Sequence, residues 1–131
     1  MGQPAAKQGD QIVATDTHII MIPSPGGPVP TPLPHPFSGI LDGNLSPNVK
    51  IMGRPAAIVG STATNTPPHI PQGGPFQRPP GNRGTIIQGS ATVRINGKGG
   101  ARNGDQAMTC NDPADLPIGR VVAVGTVFIG G

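Results

Sequence analysis

The chain has 131 residues, a formal net charge of +3, 21 glycines, 18 prolines, three phenylalanines and no tryptophan or tyrosine. That length bounds it to a single domain, 1–131, and a Gly/Pro share of about 30% excludes an ordinary aromatic-packed globule. One cysteine excludes an intrachain disulfide; no apolar run nears the roughly 20 residues of a membrane span; and nine scattered cations without Tyr or Trp platforms argue against nucleic-acid binding.

Residues 1–14 read as a short opening strand, with Gln11-Ile12-Val13-Ala14 as its apolar part. His18–Ile22 is a second run, β-branched and too short for a helix. From 23 to 36 every second or third residue is proline (23, 25, 28, 30, 32, 34, 36), a density that predicts an extended, ordered loop wrapped on the surface rather than sheet or helix. Ile40-Leu41 before Asp42-Gly43 reads as a strand end and turn. Ser46–Ile51 and Ala56–Val59 are expected as short strands flanking Gly53, and 71–84 as a second Gly/Pro loop. Thr85–Gln88 and Thr92–Asn96 follow as strands, with Asn96-Gly97 as a type I′ hairpin signal. Asp112–Pro117 reads as a connecting loop, and 119–129 as a C-terminal strand broken at Gly125. No segment has an amphipathic helical period. Short strands about every ten residues predict an all-β fold.

An internal repeat organises these pieces. Val49–Ile51 with Gly53-Arg54 matches Val93–Ile95 with Gly97-Lys98. Ala57-x-x-Gly60-Ser61 matches Ala101-x-x-Gly104-Asp105, and Ala6-x-x-Gly9-Asp10 is a third copy of that half. A residue able to bind metal follows each copy: His18, His69 and Cys110. The remaining histidine, His35, is held between two prolines. Three His and one Cys suit a tetrahedral zinc shell, although separations of 17, 34 and 41 residues resemble no zinc finger and bring each ligand from a different segment. Each histidine alone reads as a surface residue, and Cys110 alone as a small buried hydrophobe. Their placement after the repeats favours a joint site. A core of Val, Ile, Leu and Ala is thin and calls for a staple, which metal binding would supply.

Pro4-Ala5-Ala6-Lys7-x-Gly9-Asp10 resembles the opening of the proline–alanine–alanine–arginine (PAAR) repeat proteins, with Lys in place of Arg. Arg54-Pro55-Ala56-Ala57-x-x-Gly60 resembles a second copy with the basic residue displaced, and the proline insertion after the first histidine resembles the PAAR-like subfamily. The resemblance spans essentially the whole chain. It implies a small conical PAAR-like fold of short strands, seated as a monomer on the blunt end of a trimeric β-helical spike. The machine would be a contractile injection system, type VI secretion or a phage-tail-like particle. It also implies one structural zinc ion held by His18, His35, His69 and Cys110.

The expected function is therefore mechanical: a metal-stapled point that sharpens the spike and meets the target membrane only transiently. An adaptor carrying toxin or effector cargo is the alternative; the end at Gly131 predicts that cargo binds non-covalently rather than as a fused domain. A small metalloenzyme is disfavoured, because four protein ligands close the site to water and the chain has no Glu to act as base. Asp16 and Asp105 are expected as turn residues that satisfy backbone N–H groups. The N-terminus has no charged segment leading an apolar one, so assembly is expected in the cytoplasm without a signal peptide, with delivery outside the cell on contraction.

Overall fold

A computed structural model describes residues 2–130. The twelve strands are β1 (Gln3–Pro4), β2 (Gln11–Ile22), β3 (Val29–Gly43), β4 (Lys50–Ile51), β5 (Arg54–Pro55), β6 (Thr62–Asn65), β7 (Arg83–Ile86), β8 (Arg94–Ile95), β9 (Lys98–Gly99), β10 (Gln106–Thr109), β11 (Leu116–Val122) and β12 (Phe128–Ile129). No helix occurs among the described residues. Six strands close a barrel in the order β10-β11-β2-β3-β6-β7, and three two-stranded ribbons, β4-β5, β8-β9 and β1-β12, lie outside it.

The repeat is built as a pseudo-threefold ring. The Ala6 N–H donates to Ala101 O, Ala101 N–H to Ala57 O, and Ala57 N–H to Ala6 O, at 2.9, 3.0 and 3.0 Å. All three alanines are fully buried. A second cycle runs the opposite way round, with Gln8, Val59 and Asn103 donating to Pro55, Gly99 and Pro4. Each copy then makes one tight turn. Gly9, Gly60 and Gly104 take φ of 94°, 98° and 89°, a region glycine enters without a Cβ penalty. Asp10, Ser61 and Asp105 close those turns by accepting from the N–H of Lys7, Ile58 and Arg102 at 3.1, 2.9 and 2.7 Å. Asp105 is thus a turn residue, as expected.

The ribbons obey the same symmetry. Asn96 and Gly97 both have positive φ, 53° and 80°, as a type I′ turn requires, and Met52-Gly53 repeats the geometry at 52° and 80°. Pairing there is shorter than expected. Ser46–Ile51 shrinks to Lys50–Ile51, and Ala56–Val59 gives way to Arg54–Pro55, because Ala56 and Ile58 bridge to Lys7 and Gly100 of the other copies. The third ribbon joins the two ends of the chain: Gln3 pairs with Ile129 where Arg54 pairs with Ile51 and Lys98 with Ile95. The C-terminal strand accordingly divides into β11 and β12 around Gly125, whose φ is 155°. Ile51, Ile95 and Ile129 occupy equivalent places in a small core under the ribbons, with Ala5, Ala56 and Ile58. The barrel core is separate and centred on Ile12, Phe37, Leu41, Ile86, Val121 and several alanines.

The proline segment differs from expectation. Residues 29–36 are not a loop but the first half of β3, paired residue by residue with β2 from Ile22↔Val29 to Gln11↔Ile40. The reason is periodicity. Along a strand, N–H groups alternate between the two neighbouring strands. Leu41 N–H points to β2, donating to Asp10 O, while Ser38 N–H points away, to Asn65. Pro30, Pro32, Pro34 and Pro36 share the parity of Ser38, so their missing donors face the side where β6 begins only at Gly39. Their rings face out, while His35, Phe37 and Leu41 face in. Proline is thus confined to a free edge, where it costs no ladder bond. Pro32→Ala should therefore change stability by less than about 1 kcal/mol. Thr31→Pro, one position along, strips a donor from the β2 side and leaves a buried carbonyl unpaired, a loss of roughly 1–3 kcal/mol in urea denaturation. Equal effects of the two would refute the parity argument.

Candidate metal centre

β2 and β3 continue past the barrel, since β11 reaches β2 only at Gln11–Val13. Asp16 and His18 lie on this extension of β2 and face inward with His35 of β3, while Phe37 closes the barrel below them. His69 follows β6, and Cys110 follows β10 directly. Four segments therefore deliver side chains to one point beyond the end of the barrel core. Thr66-Pro67 and Asp112-Pro113 are cis peptide bonds within the two segments that bring His69 and Cys110.

His18, His69 and Cys110, together with Asp16, place one ligand atom each within 4.8 Å of one another, and all four residues are buried. His35 is also buried, its ring centroid 5.4 Å from that of His18 and 5.5 Å from that of His69. Of the four sequence-predicted residues, the structure brings His18, His69 and Cys110 within ligand distance of one another, with Asp16 as the fourth member, and places the His35 ring beside that group rather than in it. Asp16 departs from the expected turn role: it sits mid-strand, fully buried. It accepts from the Thr109 hydroxyl and from Cys110 Sγ at 3.4 Å, and its Oδ2 lies 3.0 Å from His69 Nε2.

Each imidazole is oriented through its outer nitrogen. His35 Nδ1 is 3.0 Å from Leu33 O, so it carries the proton and leaves Nε2 as a lone pair, buried and without a partner. His69 Nδ1 accepts from the Asn65 amide N–H at 3.2 Å, which leaves the ring proton on Nε2 facing Asp16, and Asn65 is itself held by Ser38 N–H and Asn82. His18 Nδ1 lies 3.4 Å from Asp112 Oδ2, an electrostatic contact whose alignment falls short of a hydrogen bond. Asp112 is fixed in turn by Ile19 N–H at 2.9 Å and by Arg78 at 2.9 Å. Carboxylates and carbonyls behind histidine are the usual means of aiming an imidazole at a metal.

The electrostatics hold His18 in its ligating form but Cys110 in its protonated one. Burial holds the His18 imidazole below its ordinary pKa, outweighing the pull of Asp112, so the ring stays neutral. Burial opposes ionisation of Asp112, but Ile19 N–H, His18 and Arg78 together hold its carboxyl below the usual value. Burial and then Asp16 push the Cys110 thiol up to about 11, against a lowering by the backbone of Asn82 and Arg83. Without a cation in the cluster the sulfur is therefore a thiol that donates to Asp16.

The 71–84 segment caps the cluster. The Phe76 ring packs edge-on to His18 at 5.7 Å and lies 5.6 Å from His35, while Phe37 contacts His69 from the barrel side at 6.1 Å. Arg78 ties the cap to Asn111 O at 2.7 Å. Sequence reasoning missed Asp16, Phe76, Arg78 and Asp112. Only Asp16 left a signal, as an acid two residues before a candidate ligand in a strand.

The class so defined is an all-β barrel of three repeated units with a buried histidine–cysteine centre at one end. A family model described as the PAAR motif matches residues 20–108, more than half of the chain. The chain belongs to that family, the PAAR-repeat spike-tip proteins of type VI secretion, whose role is structural rather than enzymatic. A comparison with curated proteins finds no match.

Proposed function

We propose that this chain caps and sharpens a trimeric β-helical spike as a monomer, with one structural zinc ion near its tip. The cyclic hydrogen bonding of the three copies carries the docking half of this reading. A single chain that presents the same backbone three times about one axis can meet three identical subunits without a mismatch. Val49, Val93 and Val127 are equivalent ribbon residues, 36%, 37% and 39% exposed, and supply three matched apolar contacts. Size-exclusion chromatography with native mass spectrometry tests it: one chain per spike trimer is expected, and three chains per trimer would overturn it.

The metal half rests on chemistry and an orphaned atom. His35 Nε2 has no other partner, and imidazole with thiolate is a zinc donor set. His18, His35, His69 and Cys110 would hold the ion, which supplies a tetrahedral cross-link and no reactive water. Asp16 would offset the charge left over when a dication meets a single thiolate. The fold would then be locked at the point that leads through the target membrane, in a particle assembled in the cytoplasm and delivered on contraction. Transport of effector cargo on the same body is compatible with this role, but no particular residue calls for it.

A further inference from the structure

The three ribbons are alike in backbone and unlike in charge. Register makes Lys50, Arg94 and Phe128 equivalent, and likewise Arg54, Lys98 and Gln3. Two ribbons therefore carry two cations each, and the third carries an aromatic ring and an amide at the same places. All six side chains are exposed. The ribbon strands and their turns contain no Asp or Glu. None of the four cations has an acidic partner among the described residues: Arg54 reaches only Gln8 O at 3.5 Å, and Arg94 only Gly97 O at 3.4 Å. Of the five other cations, Arg83 and Arg120 also lack an acidic partner among the described residues, and three are paired. Lys7 and Arg102 pair with Asp10 and Asp105, and Arg78 pairs with Asp112.

Folding thus gathers at one end four charges that lie apart in sequence, and leaves them unpaired on rigid ribbons anchored by Ile51, Ile95 and Ile129. We infer that the end of the trimeric spike that receives this cap carries a ring of acidic side chains. Two of its three identical positions would engage the Lys50/Arg54 and Arg94/Lys98 ribbons, and the third would face Phe128 and Gln3. The inference rests on the spike-capping reading and specifies the chemistry of the partner surface. An acid opposite Lys50 is also opposite Arg94, because the partner's subunits are identical. Exposed pairs of this kind set encounter rate and salt dependence more than final affinity.

The test is binding of the host's purified spike trimer to the wild-type chain, the double variant Lys50→Glu/Arg94→Glu, and Gln3→Lys, each at about 50 and about 300 mM salt. The substituted positions are exposed, and thermal melting checks that each variant folds. The charge reversal should weaken binding on the order of tenfold at low salt, with the difference narrowing at high salt. Gln3→Lys completes the third cationic position and should tighten binding about two- to fivefold, a gain that a packing role would not produce. Salt-insensitive binding with neutral variants would overturn the acidic ring while leaving the capping reading intact. No binding by the wild-type chain at any salt would overturn both. Tighter binding to a duplex oligonucleotide than to the trimer would assign the cations to phosphate and overturn the inference.

Discussion

Purified protein should contain one zinc ion per chain, and stripping it with a chelator should lower the melting temperature on the order of 15 °C. The figure follows from two steps. Metal at about a thousand times its dissociation constant adds ~4 kcal/mol to the folded state. A chain of this size melts about 3–5 °C lower per kcal/mol lost. Cys110→Ala should melt near the stripped wild type and no longer respond to chelator, which separates loss of metal from loss of packing. The pH dependence has a definite sign. The Cys110 thiol, pushed up to about 11 without metal, must release its proton to ligate. Apparent affinity should therefore rise about tenfold per pH unit through the neutral range, and the ion should be shed as pH falls. A metal-free wild type whose melting ignores chelator would remove the metal centre and leave plain β-structure.

Ala57→Leu should cost about 3 kcal/mol or more, enough to leave much of the chain unfolded. Ala57 is fully buried, donates to Ala6 and accepts from Ala101, so it stands in a closed cycle that cannot widen at one position alone. Three added carbons there must push one copy away from the other two and stretch the bonds on both sides. Ala91→Leu, on the exposed approach to β8, is the matched control and should stay within about 0.5 kcal/mol. The check is the urea midpoint of each variant at unchanged slope. A tolerant Ala57 would mean that the axis is loosely packed.

How much of this was legible depended on whether the signal was local. The alanine–glycine repeats were visible because each copy needs a small residue at the axis and a glycine at a positive-φ turn, demands that fix residue type. Asn96-Gly97 was visible for the same reason, whereas Met52 hides an identical turn because methionine rarely marks positive φ. His18, His69 and Cys110 stand out from repeat position, and the structure brings them together, whereas His35 stands out only from inventory. Asp16 leaves only the faint mark of an acid two residues before His18, because its inward turn toward His69 is set by the fold and not by its neighbours in sequence. The prolines misled in the opposite way. Their density reads as loop, and only the parity of hydrogen bonding, which depends on where β6 starts, shows that a strand can hold them. In the sequence the ribbon charges look like scattered cations, because equivalence between Lys50 and Arg94 appears only after folding.

The ribbon formed by β12 and β1 separates this fold from its own local contacts. Two ribbons close within a few residues, but the third pairs Gln3 with Ile129 across nearly the whole chain. Loop-closure entropy makes such a contact the last to be worth forming. The molecule is in effect a circle of three units opened at one seam, which is shut by the β1–β12 ribbon and by the pairing of β11 with Gln11–Val13 of β2. Folding should proceed from the two local ribbons and finish at the seam, so that region would be the first to open under force or heat. Moving the seam to Met52-Gly53 by circular permutation would preserve the native pairing while changing which third of the ring is completed last.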